Sequence, residues 1–230
     1  MKAIEIKRGQ RHILYDAGLI ENADRLAFRP EDWAAQSAII GFAEGRGTTF
    51  FVQYEGHDYV LRHFRRGGQI TRLSADRYVW TGLSRTRAWR EWRLLAELWQ
   101  RGLPVPRPVA AQVVRRGLVY TADIMTQRLA GTLTLSEQLT RQPLEQGIWA
   151  RLGRLIRRFH REGVFHADLN ANNVLLDSQG GLFLIDFDRG RFRRPARKWQ
   201  QANLARLRRS LDKLQAGAPE VHFRETDWQA

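Results

Sequence analysis

Apolar and polar positions change period several times along the 230-residue chain, and each change marks an element. From Gln36 to Val60, the short apolar runs Ala38-Ile39-Ile40, Phe50-Phe51-Val52 and Tyr59-Val60-Leu61 are separated by glycine-rich or polar turns. That alternation predicts three antiparallel strands. Between Thr86 and Arg101, Ala88, Trp92, Leu95 and Leu98 recur at three- and four-residue steps before Gly102, Pro104 and Pro106, which predicts one amphipathic helix ending there. Val109 to Val114 and Leu118 to Met125 flank Arg115-Arg116-Gly117 as a hairpin. The first 125 residues thus predict a five-stranded sheet with a helix.

The second half has a longer period. Ile148, Leu152, Leu155, Ile156 and Phe159 mark a helix over Leu144 to Glu162, closed by Gly163. Val174-Leu175-Leu176 and Leu182-Phe183-Leu184-Ile185 surround Ser178-Gln179-Gly180-Gly181 as a small hairpin. A last helix, about Ala196 to Gln215, carries Leu204, Leu207, Leu211 and Leu214 on one stripe and Arg206, Arg209 and Lys213 on another. No internal repeat interrupts this series.

Composition supports a folded chain: 43% of residues are hydrophobic and eight are Trp, enough apolar surface to offset the ordering entropy. There is no cysteine, which removes disulfides and thiolate metal sites. The charged N-terminal run Met1 to Arg8 lacks the apolar stretch of a secretory signal, and no segment has the roughly 18 consecutive apolar residues of a membrane span. A net charge of +14 points toward a polyanionic partner or surface.

The chemistry concentrates after the helix that ends at Gly163. His166-Ala167-Asp168-Leu169-Asn170-Ala171-Asn172-Asn173 sets an Asp five residues before an Asn, between a helix and a strand. Phosphoryl transfer to an alcohol needs a carboxylate to orient the hydroxyl and take its proton, and an oxygen ligand to hold Mg²⁺ against the phosphates. Asp168 suits the first role and Asn173 the second. In Ile185-Asp186-Phe187-Asp188, Asp186 ends an apolar strand and suits a second hard-cation ligand.

These segments resemble the catalytic loop H-R-D-L-x-x-x-N and the metal turn D-F-G of the protein-kinase-like superfamily. Within it, Tyr59 to Gly68, His166 to Asn173 and Ile185 to Arg191 are similar to the 3-deoxy-D-manno-octulosonic acid (Kdo) kinases of the lipopolysaccharide core kinase family. The resemblance implies an α+β, two-lobed protein-kinase-like fold, with an N-lobe over 1–126 and a shortened, mainly helical C-lobe over 127–230. It also implies ATP and Mg²⁺ as co-substrate and metal. The expected activity is phosphorylation of the 4-hydroxyl of Kdo on Kdo-lipid A or its precursor.

Gly45 and Gly47 fit the first two glycines of a phosphate-covering loop, with Phe50 in place of the third. Glu91 takes the place of the helix glutamate that pairs with the strand-three lysine. That lysine is absent: Arg62 stands there, and Arg65 competes for the role. Asp188 replaces the glycine of D-F-G, and only 44 residues follow Asp186, too few for a long peptide-binding segment. A small or lipid-linked acceptor fits better than a peptide, and the resemblance implies a lipid-linked Kdo acceptor. His166 is expected to hold the loop backbone rather than transfer a proton, and His12, His57, His63, His160 and His222 have no metal-ligand spacing.

The implied setting is the cytoplasmic face of the bacterial inner membrane, with the chain bound peripherally to the anionic surface through Arg191 to Lys198 and the stripe Arg206, Arg209 and Lys213. Other kinases of the same fold, acting on heptose or aminoglycosides, remain open. A non-catalytic nucleotide- or nucleic-acid-binding protein is a further alternative. No reading motif for nucleic acid is present, and none is expected as a partner.

Overall fold

A computed structural model describes residues 1–43, 48–65, 76–218 and 220–229. The chain forms two compact units, one of residues 1–101 and 106–130 and the other of residues 102–105 and 131–230. Together they are α+β, with the sheet concentrated in the first unit and the helices in the second.

In the first unit, strands β1 (Ala3–Arg8), β2 (Arg11–Asp16), β3 (Ile39–Ala43), β4 (Thr49–Tyr54), β5 (His57–His63), β6 (Tyr78–Val79), β7 (Pro108–Arg116) and β8 (Val119–Gln127) build one antiparallel sheet. The order is β1-β2-β7-β8-β5-β4-β3, with β6 also paired to β8. The expected strands are all here, and the sheet gains the hairpin β1-β2 and the short β6. The hairpin is foreshadowed by Ile4 and Ile6 alternating with Glu5 and Lys7, a strand period half hidden by charge.

One face of this sheet covers a core of Ile13, Tyr15, Ile20, Trp33, Val52, Tyr59, Leu61, Val109 and Met125. The short helix α1 (Pro30–Ala34) supplies Trp33, whose indole donates to the Ala27 carbonyl at 3.1 Å. Helix α2 (Arg87–Gln100) packs on β7 and β8 and buries Ala88, Trp92, Leu95 and Leu98. Alternation along β5 buries Tyr59 and Leu61 in the core and sends Val60 and Arg62 to the opposite face.

The second unit holds β9 (Thr132–Thr134), β10 (Val164–Phe165), β11 (Val174–Asp177), β12 (Leu182–Leu184), β13 (Arg191–Phe192) and the helices α3 (Leu135–Arg141), α4 (Gln146–Arg161), α5 (Arg197–Gly217) and α6 (Glu225–Gln229). Helix α3 begins with a capping box: Thr134 accepts from the Glu137 amide, and Glu137 accepts from the Thr134 amide. Helix α4 ends at Gly163, whose φ of +73° suits glycine. A Cβ there would lie 2.4 Å from the Arg193 carbonyl, so the close pairing of β10 with β13 also requires glycine. Buried Phe187 stacks on Phe159 of α4, and Phe223 packs against Trp149.

Candidate active site

The segment Val164 to Asn173 leaves β10, turns through a 3-10 segment over Ala171–Asn173, and enters β11. Its backbone is tied from inside and from outside. Inside, buried His166 donates from Nε2 to the Ile185 carbonyl at 2.9 Å and accepts the Asp168 amide at Nδ1, 3.2 Å away. One nitrogen must carry the proton and the other must not, so this pair of bonds requires the neutral imidazole. Burial holds His166 below its ordinary pKa range, while the Ile185 carbonyl and the carboxylates of Asp186 and Asp168 act the other way without reversing it. The histidine thus fixes the loop as a neutral strut.

Asn173 is buried at the far end of the loop. Its side-chain amide donates to the Asp168 carbonyl at 2.9 Å, and its own carbonyl accepts from the Ile185 amide at 3.1 Å. The NH₂ group is oriented by that bond, which turns Oδ1, the metal-ligating atom of an Asn, the other way. Ile185 is therefore held by both His166 and Asn173, and the next residue, Asp186, adopts φ +60°, a left-handed conformation rare outside glycine. Such a conformation persists only where the surroundings impose it. Here they are the two bonds to Ile185 and the fully buried Phe187, whose ring lies 4.7 Å from that of His166.

Outside the loop, α5 supplies three polar side chains that the leucine stripe of the sequence did not reveal. Asn203 donates to the His166 carbonyl at 2.8 Å, Arg206 Nη1 donates to Asp168 Oδ1 at 2.9 Å, and Ser210 accepts the Ala171 amide at 3.0 Å. Their spacing of three and four residues puts them on one helix face, beside the buried Leu207 and Leu211. Arg206 thus pairs with Asp168 and does not stand with Arg209 and Lys213 as a simple basic stripe. The signal available beforehand was the i, i+3, i+7 recurrence of Asn, Arg and Ser, which reads as a solvated helix face until the loop is set against it.

In the first unit, Arg62 Nη2 meets Glu91 Oε1 at 2.5 Å. Glu91 is only 3% exposed because it sits in the same helical stripe as Ala88, Trp92 and Leu95, a carboxylate inside an apolar face. Arg62 also lies over the Phe64 ring, 4.8 Å from its centre. Arg65 is exposed. Gly45 and Gly47 lie outside the described residues.

Within the second unit, a loop carboxylate, a buried Asn bonded to the same residue's backbone, and an Asp in a strained turn tied to that loop offer the oxygen groups that phosphoryl transfer to an alcohol needs. The model of the lipopolysaccharide kinase (Kdo/WaaP) family matches residues 31–230. A protein of Xylella fastidiosa (strain 9a5c) named 3-deoxy-D-manno-octulosonic acid kinase is 47% identical over 202 residues, covering 88% of this chain and 80% of that one. A Xanthomonas campestris pv. campestris (strain B100) protein of the same name is 46% identical over 208 residues, covering 90% and 82%. Among solved structures, the Cydia pomonella granulovirus kinase PK-1 aligns with a TM-score of 0.44 at 15% identity, over 69% of this chain and 55% of that one. The chain belongs to the lipopolysaccharide kinase (Kdo/WaaP) family and is a kinase, with ATP as the implied co-substrate.

Proposed function

We propose that this kinase transfers the γ-phosphoryl group of ATP to the 4-hydroxyl of a Kdo residue on Kdo-lipid A or its precursor, in assembly of the lipopolysaccharide inner core. The observation that carries the reading is the clamped loop of Asp168 and Asn173, tied through Ile185 to Asp186, in a chain whose relatives are named Kdo kinases.

Asp168 orients the acceptor hydroxyl and takes its proton as the oxygen attacks phosphorus. Asn173 Oδ1 and the Asp186 carboxylate would hold Mg²⁺. Both are hard oxygen donors, and two such ligands leave room for the phosphate oxygens that magnesium usually keeps in its shell. The ion, when bound, neutralises charge on the transferring phosphates. Arg62, kept in place by Glu91, supplies a permanent positive charge for the donor phosphates, with Gly45 and Gly47 assigned to the covering loop. His166 moves no proton; it keeps the loop in register.

We assign the enzyme to the cytoplasmic face of the inner membrane as a peripheral protein, because its acceptor is lipid-linked and its net charge is +14. No helix among the described residues is long and apolar enough to cross a membrane. The deciding experiment is ATP turnover against a panel of core-sugar acceptors, with mass spectrometry of the product. Phosphate on the Kdo 4-hydroxyl is expected, and transfer to heptose alone would overturn the assignment.

A further inference from the structure

The sequence places Arg206 in a basic stripe facing an anionic surface, yet its guanidinium touches the carboxylate assigned as the base. A guanidinium has five N–H donors. One, on Nη1, goes to Asp168 Oδ1, and among the described residues Nε and Nη2 donate to nothing. The side chain is 47% exposed and Asp168 is 28% exposed, so both open to solvent at the point of contact. The position of Arg206 is set by its helix: Asn203 one turn before and Ser210 one turn after bond the same loop, and Leu207 is buried beside them. It is a cation built into the loop's support, with its remaining donors left for something that arrives.

What arrives next to Asp168 is the acceptor hydroxyl. A carboxylate beside that hydroxyl would be repelled by the negative charge of Asp168 unless a cation stood between them. We propose that Arg206 is the specificity-determining residue that admits an acidic sugar: it holds Asp168 on one donor and receives the carboxylate of the acceptor on its other donors. The proposal rests on the Kdo reading, since that sugar is an acid. Arginine suits the task because its planar fork bonds two carboxylates without losing its charge. A site built to bond a charged group also rejects the analogue lacking it, because the site's own polar group is then left unmatched.

The test compares two acceptors in each of three proteins. The acceptors are a simple Kdo glycoside and the same glycoside with its carboxylate reduced to a primary alcohol. The proteins are the wild type, Arg206→Lys and Arg206→Gln. The wild type is expected to favour the acid in kcat/KM by about 10- to 100-fold, chiefly through KM, the scale of a hydrogen bond between charged groups. Arg206→Gln should lose most of that preference, Arg206→Lys should keep part of it, and the KM for ATP should stay the same. Because the comparison is made within each variant, a partly unfolded fraction cancels. If Arg206→Gln slows both acceptors equally and keeps the wild-type preference, Arg206 serves only Asp168 or the transferring phosphoryl group, and the specificity role is overturned. A wild type that turns over the two acceptors equally overturns it as well. A wild type that phosphorylates neither overturns the Kdo reading and this role together, a different signature from either.

Discussion

Asn173 gives its side-chain amide to the backbone carbonyl of Asp168 across 2.9 Å, so the proposed metal ligand also braces the residue proposed as the base. Asn173→Ala removes both. Turnover is expected to fall about 10- to 100-fold and to recover in part with added Mg²⁺, since the ligand can be replaced by water but the brace cannot. Asp168→Ala and Asp186→Ala should each lose about 10²- to 10⁴-fold or more at any Mg²⁺ concentration, with thermal unfolding close to wild type. A Mg²⁺ titration of kcat for the three variants checks this. An unchanged Mg²⁺ dependence in Asn173→Ala would remove that residue from the metal site.

Arg62 and Glu91 make a different kind of pair, because one partner is nearly fully buried. Arg62→Ala strips a close partner from a carboxylate with little access to water. The expected cost is about 2–3 kcal/mol, or roughly 5–10 °C in Tm, together with a raised KM for ATP. Arg65 is exposed, and Arg65→Ala should change stability by less than about 0.5 kcal/mol. Calorimetry and ATP saturation curves on the two variants rank them, and a larger KM effect from Arg65→Ala would transfer the phosphate role to it.

Surface attachment should depend on residues outside the catalytic loop. Arg191, Arg193 and Arg194 are exposed beside the exposed Phe192, whereas Arg206 is engaged by Asp168. Each basic side chain near an anionic surface contributes on the order of 1 kcal/mol within a screening length of about 8 Å. Replacing the three with Gln should weaken co-sedimentation with anionic vesicles about 10-fold or more, and raising the salt should do the same to the wild type. Binding that responds to neither change would exclude an electrostatic mode.

The three long helices and seven of the thirteen strands among the described residues were legible because burial imposes a period on the sequence: 3.6 for α2, α4 and α5, and short apolar runs for β3 to β5, β7, β8, β11 and β12, whereas the short helices α1, α3 and α6 have too few turns to show one. Asp168, Asn173 and Asp186 were legible because their spacing is local. Glu91 had a signal too, a carboxylate in an apolar stripe. What stayed hidden depends on long-range contact. Asn203, Arg206 and Ser210 look like an ordinary solvated face until α5 lies along a loop 37 to 39 residues away in sequence. The β1-β2 hairpin stayed hidden because only Ile4 and Ile6 mark one strand of it, between charges that are equally at home in a loop.

Stability should vary with pH through a polar cluster in the first unit. His63 Nδ1 lies 2.6 Å from Asp123 Oδ1, and its Nε2 lies 3.4 Å from Asp76. Gln112 donates to the other oxygen of Asp123 at 3.2 Å and accepts from Arg11 at 2.9 Å, which fixes that carboxylate toward the ring. The bond to Asp123, helped by the charges of Asp123 and Asp76, raises the pKa of His63 above 6.5 despite burial. Above pH 6.5 the folded protein therefore keeps a proton that the unfolded chain releases. This contribution is fully present below pH 6.5 and is lost as pH rises through the folded value. His12, His160 and His166, each lowered chiefly by burial, act oppositely: their contribution is present above pH 6.5 and is lost as pH falls. The opposing histidines mask His63 in the wild-type profile, so the measurement is the difference in unfolding free energy from urea titrations between wild type and His63→Gln at each pH. That difference should be a loss of about 1–2 kcal/mol at pH 6 that shrinks toward pH 8. An equal loss at both pH values would mean that His63 stabilises the sheet by packing alone and carries no linked proton.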